Sequence, residues 1–190
     1  ISAIVSRYYG MGKTNEIGTF IVQSLYFNII VGILTIAATL CFVNYIFSFY
    51  NAMGELLEVA KSYYRIRVFG LPLALATYGL FGVFRGLQNT SWAMIISILG
   101  GMINVILDFI LVYGIDNIVP AIGAEGAAWA SLIAQIIMFV VVIWLLIKKK
   151  LVSFTLRIKF DKNMGDFVRM FVNLLVRTAA LNTAYFLGTK

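Results

Sequence analysis

One charged side chain stands inside a long apolar run. Trp92 to Gly114 reads WAMIISILGGMINVILDFILVYG, and Asp108 is its only charged residue. Asn104 precedes it by four positions, so a helix places the amide and the carboxylate on one face, which Gly101 and Ser97 continue. A carboxylate in hydrocarbon costs on the order of 3 kcal/mol, so it needs a neighbouring helix or a wet cavity. Such a group can take up a proton or hold a cation, one at the expense of the other. The Asn104 carbonyl can accept from the protonated acid or coordinate sodium, which makes Asp108 and Asn104 a candidate H+ or Na+ site. Ser131, on the next apolar segment, adds a hydroxyl. The plainer alternative is an Asp108 that faces water at the membrane interface, and the residues alone leave both readings open.

Other polar groups in apolar surroundings are candidates for a substrate cavity. Ser24, Asn28, Gly32, Thr35 and Thr39 recur at helical spacing. This stripe suits either helix packing through small residues, with hydroxyls bonded inside their own helix, or the wall of a cavity that Asn28 and Thr35 would line. Ala127, Ser131 and Gln135 form a second partly polar face. Arg177 lies four residues after Asn173 and eight after Arg169. It reads either as a cavity cation or as a side chain snorkelling to the interface. Pro72 removes a backbone hydrogen bond and should kink its helix, and the Gly100–Gly101 pair is a second bending point.

The elements that carry these residues are membrane helices. The chain of 190 residues is 62% hydrophobic and 12% charged, with mean hydropathy +0.95, outside the range of a soluble domain. No charge falls between Glu16 and Glu55, between Arg85 and Asp108, or between Glu125 and Lys148. Each gap holds the ~20 apolar residues that cross the hydrocarbon. The expected spans are Ile17 to Phe47, Val59 to Phe84, Trp92 to Val112 and Gly126 to Ile147. A helix end and turn precede them, and a last helix begins near Gly165. Gly82 and Gly86 form a G-x-x-x-G pair that admits a second backbone, and Gly126, Ala130 and Ala134 form a small-residue face. The fold class is all-α, a polytopic membrane helix bundle. The chain opens inside a helix end and stops soon after an apolar run has begun, so it reads as a piece of a longer membrane protein.

Charge orients the bundle. Arg7 and Lys13, Arg85, and the block Lys148 to Lys162 mark cytoplasmic loops, while the Asn51 and Ile115 loops carry no lysine or arginine. Lys61, Arg65 and Arg67 break the pattern, as arginines that snorkel or pair internally. Asp108 then lies in the outer half of its helix. The net charge of +7 is held by anionic headgroups and not by nucleic acid, because the aromatics lie in the spans and not among the basic residues. With no histidine and one cysteine, Cys41, a His/Cys zinc site and a Ser-His or Cys-His catalytic pair are excluded within this chain. No phosphate loop or hydrolase motif is present, so no enzyme is expected.

Six stretches in order carry a resemblance. FRGLQNT (Phe84–Thr90), NVILDFILVYG (Asn104–Gly114), GAEGAAWASLIAQ (Gly123–Gln135), SRYYGMGK (Ser6–Lys13), YRIRVFGLP (Tyr64–Pro72) and LVRTAAL (Leu175–Leu181) together resemble the multidrug and toxic compound extrusion (MATE) transporters, with details leaning toward the DNA-damage-inducible branch. The resemblance implies twelve helices in two six-helix lobes with alternating access. This chain would run from the end of helix two into helix seven: residues 1–147 in the N-terminal lobe without its first helix, 148–164 a basic cytoplasmic link, and 165–190 the start of the second lobe. It implies a secondary antiporter that exports organic, often cationic, compounds in exchange for H+ or Na+, with no cofactor. The complete protein would be a monomer in the plasma (inner) membrane, its partners the bilayer, the second lobe and small organic substrates. Asn104 and Asp108 match the coupling amide and carboxylate of the fifth helix. Ser131 falls where relatives carry a threonine, and Tyr63 matches a fourth-helix tyrosine of that network. Asn89 departs from the acid often found at its position. The alternatives are a lipid-linked oligosaccharide flippase of the same superfamily and a membrane scaffold that transports nothing.

Overall fold

The structure is a computed structural model and describes residues 1–49, 54–115, 118–151 and 163–188. Its helices are α1 (Ser2–Gly10), α2 (Thr14–Phe49), α3 (Glu55–Val68), α4 (Leu71–Gly86), α5 (Ser91–Tyr113), α6 (Ala124–Lys148) and α7 (Asn163–Gly188). The chain divides into two compact units, Ile1–Phe154 and Thr155–Lys190. Most of the expected 148–164 link lies outside the described residues.

In the first unit, α2, α5 and α6 are each long and apolar enough to cross a membrane. The α3–α4 pair does so only as one bent span, with a 46° angle between its halves. The local cause is legible. Phe69 and Gly70 close α3 with turn hydrogen bonds to Ile66 and Arg67. Pro72 falls in the first turn of α4, where a missing N–H costs least. The proline thus starts a new helix instead of bending a continuous one. By contrast, α5 passes through Gly100–Gly101 without interruption.

Close contacts are made where glycine removes a side chain. The α5–α6 pair packs most extensively, followed by α2–α4 and α3–α6. A Cβ on Gly32 would collide with Pro72 of α4, and one on Gly126 with the Leu111 carbonyl of α5. The Gly82–Gly86 pair receives α1, with Ile1 against Gly82, and Ser2 and Val5 against Gly86. Gly126, Ala130 and Ala134 are all buried, as a small-residue packing face requires. The outward surface is greasy: Ile30, Leu34 and Phe42 of α2 and Leu99, Met102, Ile106 and Phe109 of α5 are exposed. That inversion of the soluble pattern suits a lipid surround.

The ends of the spans carry the polar fastenings. On the side of the Ile115 loop, the Ser62 hydroxyl of α3 donates to the Glu125 carboxylate in the first turn of α6. At the other end, Lys148 lies over the Trp144 ring at 4.7 Å and Lys149 over Trp92 at 5.0 Å. These cation–π contacts tie the basic block to the aromatic belt. The second unit contains α7, 26 residues long, with Arg169 and Arg177 both exposed.

The packing predicts a contrast among glycines. In the intact protein, Gly32→Ala and Gly126→Ala each meet backbone and should cost about 1–3 kcal/mol. Gly101→Ala meets nothing within 4 Å and should be neutral or stabilising by up to ~1 kcal/mol through helix propensity. Thermal unfolding in detergent reads the difference, and equal losses at all three positions would contradict this packing.

Candidate functional site

The bent span and the two helices that pack beside it enclose a cavity of about 250 Å³. Arg67 of α3 lines it at one corner. From α4 come Ala74, Thr77, Tyr78 and Phe81, spaced one helical face apart. From α5 come Ser97, Gly100, Gly101 and Asn104, and from α6 come Ser131, Gln135 and Met138. The Ser97–Gly101–Asn104 face of α5 therefore looks into a cavity and not into the apolar surround.

Within it, Asn104 Nδ2 donates to Ser131 Oγ at 3.3 Å, a bond between α5 and α6. Its geometry follows from the small residues below it. Gly126 lets α6 approach the α5 backbone at Leu111, which brings the two polar side chains within reach. Donation by Nδ2 leaves the Asn104 carbonyl oxygen to serve as an acceptor. One turn further along α5, the Asp108 side chain is half-buried, and its Oδ1 is buried without a hydrogen-bond partner among the described residues. Thr77 Oγ1 and Gln135 Oε1 are in the same state. Buried polar atoms normally find partners, so each of these marks a place where water, an ion or a ligand can bind.

The structure brings some of the sequence candidates together and leaves others apart. Asn104, Ser131 and Gln135 share the cavity, and Asp108 adjoins it through Asn104. Tyr63 is half-buried on α3 and is not among the cavity-lining residues. Asn28 packs its amide against Gly79. Thr35 Oγ1 donates to the Val31 carbonyl of its own helix at 2.8 Å, Thr39 does the same to Thr35 at 2.7 Å, and Ser24 bonds the Ile21 carbonyl at 2.9 Å. The hydroxyls of the α2 stripe are thus bonded within their own helix, and neither Asn28 nor Thr35 is among the residues that line this cavity. Arg177 belongs to the second unit, where it is exposed on α7. Of the bending points, Pro72 adjoins the α3–α4 break, Gly100 packs against Met138, and Gly101 opens onto the cavity.

Sequence reasoning missed Arg67, Thr77, Tyr78 and Phe81 as cavity residues. Arg67 sat in the charged run KSYYRIR, whose depth in the membrane depends on where α3 breaks. For the α4 residues a signal existed: Ala74, Thr77, Tyr78 and Phe81 recur at one-face spacing, and Thr77 is polar in a stretch otherwise apolar or aromatic. Among the described residues, no group of three or more His, Cys, Asp or Glu could hold a metal ion. A cation at Asp108 and Asn104 would meet one carboxylate and neutral oxygens, a donor set for a proton or a hard, singly charged ion.

The MatE family model matches residues 1–110. The chain is 31% identical over 128 residues to Protein DETOXIFICATION 43 of Arabidopsis thaliana, covering 67% of this chain and 23% of that protein. It is 28% identical over 149 residues to the multidrug export protein MepA of Staphylococcus saprophyticus, covering 76% of this chain and 30% of that one. A solved structure described as the outward-facing conformation of a multidrug resistance MATE family transporter of the MOP superfamily superposes with TM-score 0.73 at 26% identity, over 85% of this chain and 35% of the other. The chain thus spans about a quarter to a third of the length of the curated relatives it matches.

The Asn104–Ser131 bond yields a direct prediction. A double-mutant cycle with Asn104→Ala and Ser131→Ala in the intact protein should return a coupling of about 0.6 kcal/mol, the usual size for an interhelical bond in a membrane. Ser131→Thr keeps the hydroxyl and should leave stability within that amount. Strictly additive losses from the two alanines would show that the side chains do not pair.

Proposed function

The chain belongs to the MatE family and is multi-pass membrane protein, and on that premise we propose that it forms the ion-coupling part of a secondary antiporter. The antiporter exports organic compounds in exchange for protons or sodium by alternating access. The observation that carries this reading is the buried, unbonded Asp108 Oδ1 one turn from the Asn104–Ser131 pair. A carboxylate so placed is costly unless protonated or paired with a cation. Its two occupied states therefore differ in charge inside a low-dielectric bundle, and that difference can bias one helix arrangement over another. The Asn104 carbonyl and Asp108 would hold sodium between them, or Asp108 alone would carry the proton. Because ion and substrate bind differently to the two arrangements, each changes the affinity for the other.

The finer assignments rest on the same resemblance. Residues 1–147 are read as most of one lobe, 148–164 as the cytoplasmic link, and 165–190 as the start of the second lobe, the chain's principal partner. Tyr63 supports the coupling network from α3, and Gln135 belongs to the substrate wall. The Pro72 break is the hinge best supported by the fold, since α3 and α4 are already separate helices there. Placement in the DNA-damage-inducible branch, a plasma-membrane location and a monomeric state belong to the same proposal.

Asp108→Asn keeps shape and removes the charge change. In the intact protein, reconstituted in vesicles with an imposed proton or sodium gradient, it should reduce gradient-driven export to background while leaving expression and folding intact. Export at the wild-type rate would remove Asp108 from the mechanism.

A further inference from the structure

The cavity contains a cation that the coupling mechanism does not use. Arg67 lies at the last turn of α3, at the break in the bent span and one turn of α6 away from the Asn104–Ser131 level. A Cβ on Gly70 would touch both its Nη1 and the Gln135 side chain, which places the guanidinium beside Gln135. Among the described residues no carboxylate pairs with Arg67, and the ion pair seen is Lys13–Glu16 at the surface. None of the cavity-lining residues is acidic. A half-buried arginine in this setting is costly unless an anion reaches it.

A further observation points to what that anion meets. Thr77 is 3% exposed, lines the cavity, and has a hydroxyl without a hydrogen-bond partner. It can donate to an oxyanion beside the arginine. Phe81, one turn along α4 from Thr77, and Met138 of α6 make part of the wall apolar.

From this arrangement we propose that the cavity binds the acidic head of an amphiphile, a carboxylate or sulfonate held by Arg67 and Thr77, with its apolar body against Phe81 and Met138. The head can belong to a free organic acid or to an anionic lipid. This names the substrate chemistry of the site under the transport reading and so rests on that reading. Within the organic compounds of that reading, it singles out those that carry a negative group, zwitterions included. Arg67 binds the head and Thr77 orients it.

The test uses the intact protein in phosphatidylcholine nanodiscs without any ion gradient. Calorimetric titration compares naphthalene-2-sulfonate with naphthyl-trimethylammonium, which share an apolar body and differ in charge. The expected result is sulfonate binding at least about tenfold tighter than ammonium binding. R67Q should lose about that factor for the sulfonate and none for the ammonium, R67K should recover most of it, and T77V should weaken the sulfonate by a smaller factor. R67K and an unchanged elution profile guard against simple misfolding. Adding phosphatidylglycerol separates the sources. Competition with the sulfonate in wild type, lost in R67Q, assigns the head to lipid, and no competition assigns it to a free acid. Equal affinity for the two probes, or an equal loss of both in R67Q, overturns the proposal. Because binding is read without transport, failure of sulfonate binding leaves ion-coupled export standing, and failure of export leaves this binding site standing.

Discussion

Hydrocarbon offers no partner to a polar atom, and this constraint shapes the bundle. Every amide, hydroxyl and charge within the spans must find its complement in another helix, in its own backbone or in a cavity. On α2 the answer is local: Thr35, Thr39 and Ser24 return their hydroxyls to carbonyls of the same helix. Between α5 and α6 it is the Asn104–Ser131 bond. At Asp108, Thr77 and Gln135 there is no internal answer, and those residues lie in or beside one cavity.

Close backbone approach makes that concentration possible. Gly126 against Leu111 draws α6 onto α5, and Gly32 against Pro72 draws α2 onto α4. The break between α3 and α4 bends the span by 46° beside the cavity that Arg67 and Ala74 line. Tight packing on two sides and a discontinuity on the third leave room for a small molecule. The Ser62–Glu125 bond fastens the middle of α3 to the first turn of α6.

Much of this was legible in the sequence because membrane helices obey simple counting. Charge-free gaps located α2, α5 and α6, and four-residue spacing put Asn104 and Asp108 on the face that turns inward. The Gly82–Gly86 pair announced a close neighbour, which proved to be α1. What the spacing could not decide was how a polar stripe is satisfied. The same Ser/Thr pattern that lines a cavity in one protein bonds its own backbone in another, so spacing alone leaves Asn28 and Thr35 ambiguous. Arg67 was obscured for a different reason. Its run of basic residues resembles an interfacial cluster, and only the position of the α3–α4 break shows that it borders the cavity.

The central claim is that one buried carboxylate links an ion to an organic substrate through a shared helix arrangement. Reciprocal linkage makes this measurable without a gradient. The intact protein in weakly buffered detergent solution, monitored with a pH dye and a sodium-sensitive probe, receives an organic compound that it binds saturably. The account predicts release of protons or sodium on substrate binding, saturating with the substrate. Saturable substrate binding with no release of either ion would contradict it.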